Sequence, residues 1–169
     1  KPLQQPHPPV WLAATSPDSI RRAAERGHAI LMDPHASHAE IGRKRRLYRE
    51  ILAEHGFEEG GRDIPVARLL AIGDTDREGE EIARRGAMWT VGSYAKPRGR
   101  DNHPGIDRQP EQDPVERYVN DVVIHGSPER VVDEIQRLRE EHLVDYLMCA
   151  PLSHESFVLF IEKVLPRLT

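Results

Sequence analysis

The sequence predicts an α/β protein built around a parallel β-sheet. Short apolar runs suited to buried strands alternate four times with segments of helical periodicity. Helical segments separate the strands, which is typical of parallel strands joined by right-handed crossovers. A length of 169 residues suits one domain. Four β/α units fit either a small open sheet or half of a (β/α)8 barrel, and periodicity alone leaves both open.

The first unit is a strand over residues 10–14 followed by a helix over residues 16–26. The strand is a continuous apolar run, which is typical of burial on both faces. Ser16 and Pro17, followed by an acidic residue, indicate a helix start, because serine caps the first turn and proline suits it. Gly27 is placed to end the helix.

The next two units continue the alternation. The second is a strand over residues 29–32 and a helix from about residue 37 to residue 54, with its apolar positions on one face. The third is a strand over residues 64–72, interrupted by a proline and by Arg68. A helix over residues 76–88 follows it.

The last part of the chain contributes a short helix, a longer helix and the fourth unit. The short helix is predicted over residues 115–123. The longer helix starts at Ser127, which is placed to cap it, with Pro128 in the first helical position. The fourth strand is predicted over residues 144–149, and the final helix over residues 154–165.

Residues 94–114 have a different character from the rest of the chain. They are rich in Pro, Gly, Arg, Asp and Asn and contain almost no apolar side chains. The segment is too long for an ordinary connection. We therefore expect either a mobile functional loop or a plain disordered segment.

Composition argues against several kinds of partner and location. The 24 Lys and Arg residues are interleaved with 28 Asp and Glu residues, so no basic surface for nucleic acid is expected. No apolar run approaches the ~20 residues of a membrane span, and no signal peptide is visible. The single Cys149 excludes an intrachain disulfide and a cysteine-based zinc site, and it fits a cytoplasmic location.

The turn from Thr15 to Ser19 is the strongest local candidate for a binding site. A helix N-terminus offers unpaired N–H groups and a partial positive charge, which together bind anions such as phosphate. Ser16 and Ser19 add hydroxyl donors. In a parallel α/β protein this turn lies at the carboxyl end of its strand, where ligands bind. Spacing alone nevertheless favours a simple helix cap at Ser16, and Asp18 argues against a phosphate.

Other polar residues offer weaker candidates. His35 and His38 follow the second strand, but two histidines without a third ligand make a poor zinc site, so no metal is expected. His35 is a candidate substrate-side proton donor, because an ordinary histidine titrates near neutrality. His38 fits a helix start equally well. Asp74 and Asp76 suit either magnesium or helix capping, and capping is the simpler interpretation.

Several segments together resemble the C-terminal half of the bacterial luciferase-like flavin-dependent monooxygenases. Residues 9–19 and 23–27 are similar to the fifth strand of that family and the helix after it. Later segments keep the family's order and spacing, namely residues 30–32, 126–129, 144–148 and 162–166. The chain also starts at Lys1 with four prolines in its first nine residues, so we expect a piece of a longer protein.

This resemblance implies the second half of a (β/α)8 TIM-type barrel over residues 1–169, comprising strands five to eight and their helices. Thr15, Ser16 and Ser19 occupy the positions that hold the phosphate of reduced FMN in the family. Residues 94–114 would form a mobile lid or insertion loop. Within this lid, Arg98 and Arg100 would contact an anionic group of the substrate or cofactor.

The resemblance also implies an activity. The expected function is a monooxygenase that uses reduced FMN, supplied by a separate flavin reductase, and molecular oxygen on a small-molecule organic substrate. The alternatives are an F420-dependent hydride-transferring oxidoreductase of the same fold and a noncatalytic half-barrel that binds flavin. The remaining catalytic residues would lie in strands one to four, so the chain alone is expected to be inactive. Its open sheet edges favour a homodimer.

Overall fold

The computed structural model describes residues 3–6, 8–58, 60, 63–94 and 113–168. The described strands are β1 (Trp11–Ala14), β2 (Ala29–Met32), β3 (Val66–Ile72), β4 (Ile124–Gly126) and β5 (Leu147–Pro151). The described α-helices are α1 (Pro17–Ala24), α2 (His38–Glu54), α3 (Asp76–Tyr94), α4 (Pro114–Asp121), α5 (Pro128–His142) and α6 (His154–Leu159). A π-helical turn, Phe160–Val164, and a 3-10 turn, Leu165–Arg167, follow α6. Among these helices, none has the length and apolar character needed to cross a membrane.

The five strands form one sheet in which every described pairing is parallel. β1 pairs with β2 along its whole length, and β2 meets the start of β3 where Met32 pairs with Val66. Val66 also pairs with Leu147, so β5 lies on the opposite edge of β3. Leu70 pairs with both β4 and β5, so β4 continues along the edge that β2 begins. The predicted mixed α/β fold with a parallel sheet is therefore confirmed.

The structure contains one strand that the sequence analysis missed. β4 has three residues and includes His125 and Gly126, so it shows no apolar run of strand length. Pairing with the end of β3 creates it: the Gly73 N–H donates to the Gly126 carbonyl over 3.1 Å. This strand exists because of a tertiary contact, and local periodicity does not reveal it.

Several predicted boundaries were also wrong by two to six residues. β3 begins at Val66 rather than residue 64, and α3 continues to Tyr94 rather than residue 88. The last strand covers Leu147–Pro151 rather than residues 144–149. Leu143 caps α5 in the left-handed conformation, and the chain reaches the sheet edge only at Tyr146, whose carbonyl accepts the Val66 N–H.

The core has one part on each face of the sheet. On one face, β2 and β3 pack against α1, α2 and α5 through side chains such as Ile30, Leu70, Ile20, Leu52 and Val131. On the other face, the smaller cluster joins the end of β3 to α3 and α4 through residues such as Ala71, Ala83, Ala87, Tyr118 and Val119. Both faces of β3 are therefore buried near its carboxyl end.

A close backbone contact holds α3 against β4. A Cβ atom at Gly79 would lie 2.5 to 2.6 Å from the backbone N, O and Cα atoms of Gly126. Backbone atoms cannot move aside as a flexible side chain can. Only glycine at position 79 therefore allows α3 to lie at this distance from β4.

We predict that Gly79→Ala destabilises the protein by about 1 to 3 kcal/mol, because the added methyl group forces α3 away from β4. Gly92→Ala is the matched control, since Gly92 lies in the same helix and, among the described residues beyond its own helical turns, no atom comes within 4 Å of the added Cβ. The control is expected to be neutral or up to about 1 kcal/mol more stable, because alanine favours helix. Urea unfolding measures both. Equal free energies of unfolding for the two variants would contradict the close contact.

Two histidines, buried His125 and half-buried His142, are partly shielded from water. His125 is 7% exposed, and burial is the main cause that lowers its pKa, with nearby Arg130 acting in the same direction. Carboxylates of Glu80, Glu134 and Asp76 oppose that shift. Burial is also the main cause that lowers the pKa of His142, whose Nδ1 lies against Gly42. Both side chains therefore resist protonation in the folded state more than a free histidine does.

We predict that the free energy of unfolding falls as the pH drops below about 6.5, the ordinary histidine pKa. The unfolded chain then binds protons that folded His125 and His142 resist, so stability present above that pH is lost on acidification. The loss is at most about 1.4 kcal/mol per pH unit for each histidine. His125→Gln should flatten the dependence between pH 7.5 and 5.5 in urea unfolding, whereas His154→Gln, at an exposed position, should leave it unchanged. An unchanged slope in His125→Gln would refute this account.

Candidate functional site

The carboxyl ends of the parallel strands lie at one edge of the sheet, which is where α/β proteins bind ligands. Thr15 follows β1, Asp33 follows β2 and Gly73 follows β3. Ser127 follows β4 and a serine-containing turn follows β5. The sequence-predicted candidates Thr15, Ser16, Ser19 and His35 therefore belong to neighbouring turns of this edge, because β1 and β2 are adjacent.

Ser16 and Ser19 form a capping box at the start of α1. The Ser19 N–H donates to Ser16 Oγ over 3.2 Å, and the Ser16 N–H donates to Ser19 Oγ over 3.0 Å. The Ser19 hydroxyl donates to the Ser16 carbonyl over 2.8 Å, and the Ser16 hydroxyl lies 3.2 Å from Ser19 Oγ. Helix capping therefore uses both serines in this conformation.

A phosphate at this turn requires part of that box to change partners. Of the two hydroxyl donors in the box, Ser16 makes the longer bond, 3.2 Å against 2.8 Å for Ser19, so the Ser16 hydroxyl is the one more readily released. Asp18 is exposed, and its carboxylate therefore lies towards solvent. The helix dipole and the half-buried Thr15 remain at the same end of α1. The residues present fit a phosphate, provided that Ser16 exchanges its bond.

Arg68 ties the turn after β2 to the middle of the sheet. Its side chain is 1% exposed. The guanidinium Nη1 donates to the carbonyl of Pro34 over 3.1 Å, and Nη2 donates to the carbonyl of Ala36 over 2.9 Å. Burial lowers the pKa of Arg68 to about 10, so the group stays charged at neutral pH. The predicted interruption of β3 by an arginine therefore serves to hold the neighbouring turn.

His35 lies between those two carbonyls and has two further partners. Its N–H donates to the Asp33 carboxylate over 2.9 Å, and its ring Nδ1 is 2.7 Å from the hydroxyl of Tyr118. Tyr118 lies in α4 and is 4% exposed. The sequence analysis singled out His35 but missed Tyr118 and this role of Arg68. The polar break in an apolar strand was a sequence signal for Arg68, whereas no local pattern marked Tyr118.

The other polar candidates have structural partners. His38 Nε2 donates to the Val122 carbonyl over 3.1 Å, and its Nδ1 lies 3.1 Å from the carboxylate of Glu134. The bond to His38 is the main cause that lowers the pKa of Glu134. Asp76 accepts the N–H of Ser127 over 2.8 Å, which links the starts of α3 and α5 and lowers the pKa of Asp76. In the described part of the chain, no three metal-ligating side chains come together.

Two of the predicted residues lie outside the described part of the chain, namely Arg98 and Arg100. Cys149 is half-buried on the face of the sheet that carries the larger core cluster. Burial raises the pKa of its thiol to about 11. The thiol is therefore protonated at neutral pH and packs as an apolar group.

A cleft of about 260 Å³ opens at the carboxyl end of β3, between α3 and α6. Its lining includes four carboxylates and one cation, namely Asp74, Glu78, Glu81, Glu155 and Arg85. A phosphate group would meet repulsion there, because like charges disfavour each other in a partly enclosed site. Of the two places at this edge, the start of α1 is therefore the better one for an anion.

Known proteins resemble this chain in sequence and in fold. The sequence profile of the luciferase-like monooxygenases matches residues 1–146. A search of curated proteins finds no match. The chain is similar in structure to the oxygenating constituent of 3,6-diketocamphane monooxygenase from Pseudomonas putida, in complex with FMN. The TM-score is 0.69 at 22% identity, covering 96% of this chain and 49% of that chain.

Two further solved structures share the fold. One is an F420-dependent secondary alcohol dehydrogenase with an F420–acetone adduct, with a TM-score of 0.68 at 14% identity, covering 98% of this chain and 50% of that chain. The other is a long-chain alkane monooxygenase, with a TM-score of 0.62 at 20% identity, covering 95% of this chain and 41% of that chain. The chain spans about half the length of these structures. The profile match over most of its length shows that the chain belongs to the luciferase-like monooxygenase family.

Proposed function

We propose that this chain is the phosphate-binding half of a luciferase-like monooxygenase that uses reduced FMN and oxygen on a small organic substrate. The observation that carries the proposal is the position of the Ser16–Ser19 turn. It joins the carboxyl end of a parallel strand to a helix N-terminus, in a chain that belongs to this family. The cofactor supplies the redox chemistry when it is bound.

The half-barrel part of the proposal is supported by the second face of the sheet. Trp11 lies in β1 and Tyr146 directly precedes β5, yet their rings meet edge to face with centroids 6.1 Å apart. This contact between side chains from the two ends of the strand order supports a sheet that curves towards closure, with the two rings on its concave side. Met148 lies on this side and is 41% exposed. Four further β/α units would cover this apolar surface and complete a barrel of eight strands.

The residues of this chain would bind and orient the cofactor. The start of α1 anchors the phosphate through Thr15, Ser16 and Ser19, and the helix dipole favours its negative charge. His35, in the neighbouring turn after β2, is proposed as a proton donor on the substrate side. A separate reductase would supply the reduced flavin. The exposed outer edges of β1 and β5 also favour assembly as a homodimer.

A deazaflavin is the second candidate cofactor. The F420-dependent alcohol dehydrogenase has nearly the same TM-score to this chain as the FMN-bound monooxygenase. Both cofactors present a phosphate, so the α1 turn suits either one. If F420 is the cofactor, the proposed reaction is hydride transfer to or from a small alcohol or ketone.

We predict that Ser16→Ala and Ser19→Ala each weaken FMN binding by about ten- to a hundredfold, because a hydrogen bond to a charged group contributes about 1.5 to 3 kcal/mol. Isothermal titration with FMN, and separately with F420, measures the affinity and identifies the preferred cofactor. The protein with any upstream barrel half is the sample for this measurement.

Ser37→Ala is the matched control for this experiment. Ser37 caps α2 at the same edge and accepts the Glu40 N–H, as Ser16 caps α1. Loss of a cap costs about 1 kcal/mol in either helix. The control should therefore lose similar stability but retain cofactor affinity. If all three variants bind FMN and F420 like the unchanged protein, the phosphate assignment is wrong.

A further inference from the structure

His38, the first residue of α2, is a buried histidine whose two ring nitrogens both face acceptor oxygens. The residue is 8% exposed. Its Nε2 lies 3.1 Å from the carbonyl oxygen of Val122, between α4 and β4, and its Nδ1 lies 3.1 Å from a carboxylate oxygen of Glu134 in α5. A carbonyl oxygen only accepts hydrogen bonds, so Nε2 must carry a proton.

The ionisation of Glu134 decides the proton on the other ring nitrogen. The bond to His38 is the main cause that lowers the pKa of Glu134, and Arg137, whose guanidinium lies 3.1 Å from the carboxylate, acts in the same direction. Glu134 is therefore an ionised carboxylate at neutral pH, and a carboxylate only accepts hydrogen bonds. Nδ1 must then donate to it. With a proton on each nitrogen, the His38 ring in this geometry is an imidazolium cation.

We propose that His38, as a cation bonded to Glu134 and to the Val122 carbonyl, is a pH-sensitive latch that holds the start of α2 against α5 and β4. When the pH rises and the ring loses one proton, one nitrogen presents a lone pair to an acceptor oxygen. That contact changes from attractive to repulsive, and the latch opens. The inference goes beyond the proposed function and requires no cofactor or substrate.

The surrounding charges distinguish His38 from the two other histidines near it. His142 of α5 faces His38, and burial followed by the charge of His38 lowers the pKa of His142. His125 of β4 interacts with Glu134 from the other side. Among the described residues, Nδ1 of His125 and Nδ1 of His142 have no hydrogen-bond partner, whereas both nitrogens of His38 have one. Further charged groups act on these partners, namely Arg46 of α2, Asp76 and Glu80 of α3, and Arg130, Arg137 and Glu141 of α5.

The latch is placed to act on the turn after β2. Arg68 holds that turn from β3, because it donates to the carbonyls of Pro34 and Ala36. His38 holds its other end, directly after Ser37, the residue that caps α2. Arg68 has a pKa of about 10 and stays charged where histidines titrate. Of these two anchors, His38 is therefore the one that responds to pH.

The first test is the order in which three histidines take up protons, followed by long-range ¹H–¹⁵N NMR while the pH is lowered. We expect His38 to become doubly protonated at a higher pH than His125 and His142. Glu134→Gln should move that step to lower pH, because a neutral amide no longer attracts the cation. Glu140→Gln, at an exposed position of the same helix, should leave it unchanged. If His38 protonates after either other histidine, or if Glu134→Gln has no effect, the ion pair does not exist.

The second test detects the charge of His38 through its neighbour. His38→Gln should raise the pH at which His142 takes up a proton, because it removes a positive charge that opposes that step. His154, exposed at the start of α6, should titrate as in the unchanged protein. An unmoved His142 titration in a folded His38→Gln variant shows that His38 carries no charge and overturns the inference. If this variant does not fold, Glu134→Gln decides the same question.

The third test measures the opening of the latch at the start of α2. The Ile41 N–H donates to the Ser37 carbonyl over 3.0 Å in the first turn. Its hydrogen-exchange protection, corrected for the intrinsic effect of pH on exchange, should fall once His38 has lost its second proton. The Ile20 N–H, which donates to the Ser16 carbonyl in the first turn of α1, should keep its protection. Equal protection of Ile41 on both sides of the His38 transition shows that the pair does not act as a latch.

Discussion

Backbone pairing along both edges of β3 is the constraint on which the rest of the structure depends. One edge bonds to β2 and then to β4, and the other edge bonds to β5. At the end of β3, a side chain pairs with the backbone. The buried Ser156 hydroxyl accepts the Ile72 N–H over 2.9 Å and donates to the Ile72 carbonyl over 2.8 Å. Because all of these strands are parallel, their carboxyl ends lie at the same end of the sheet.

The same strand also positions the candidate site. A central strand with two bonded edges cannot shift its register without breaking both ladders. Arg68 is therefore a rigid base from which to hold the turn that carries His35. The energetic cost of burying its charge is offset by carbonyl partners, which replace water around the guanidinium. Removing any part of this arrangement would loosen a turn at the proposed site rather than a distant surface.

Capping and binding compete at the start of α1. The turn after β1 has the residues of a capping box and also those of an anion site, because both roles need donors at a helix N-terminus. In the structure the box is closed. A bound phosphate would therefore replace internal bonds rather than fill empty positions, so part of its binding energy offsets the loss of the cap. The family match, and not the turn geometry, favours the cofactor interpretation.

Local features of the sequence anticipated much of the fold. Continuous apolar runs predicted the parallel sheet, and Ser16, Ser37, Ser127 and His154 marked helix starts within a residue or two. The boundaries that were wrong, at Val66 and Leu147, are places where pairing with a neighbouring strand decides the end. Two assignments remain predictions. One gives the cofactor phosphate to Thr15, Ser16 and Ser19, and the other places His35 on the substrate side.

The sequence by itself determined the α/β class, the family and the caps that begin most helices, because these depend on residues a few positions apart. Only the tertiary structure decided the existence of β4, the burial of Arg68 and the pairing of His35 with Tyr118. His35 and Tyr118 are 83 residues apart, and Arg68 and Ala36 are 32 apart. Contacts at such separations follow from how the strands pair, which local periodicity does not encode.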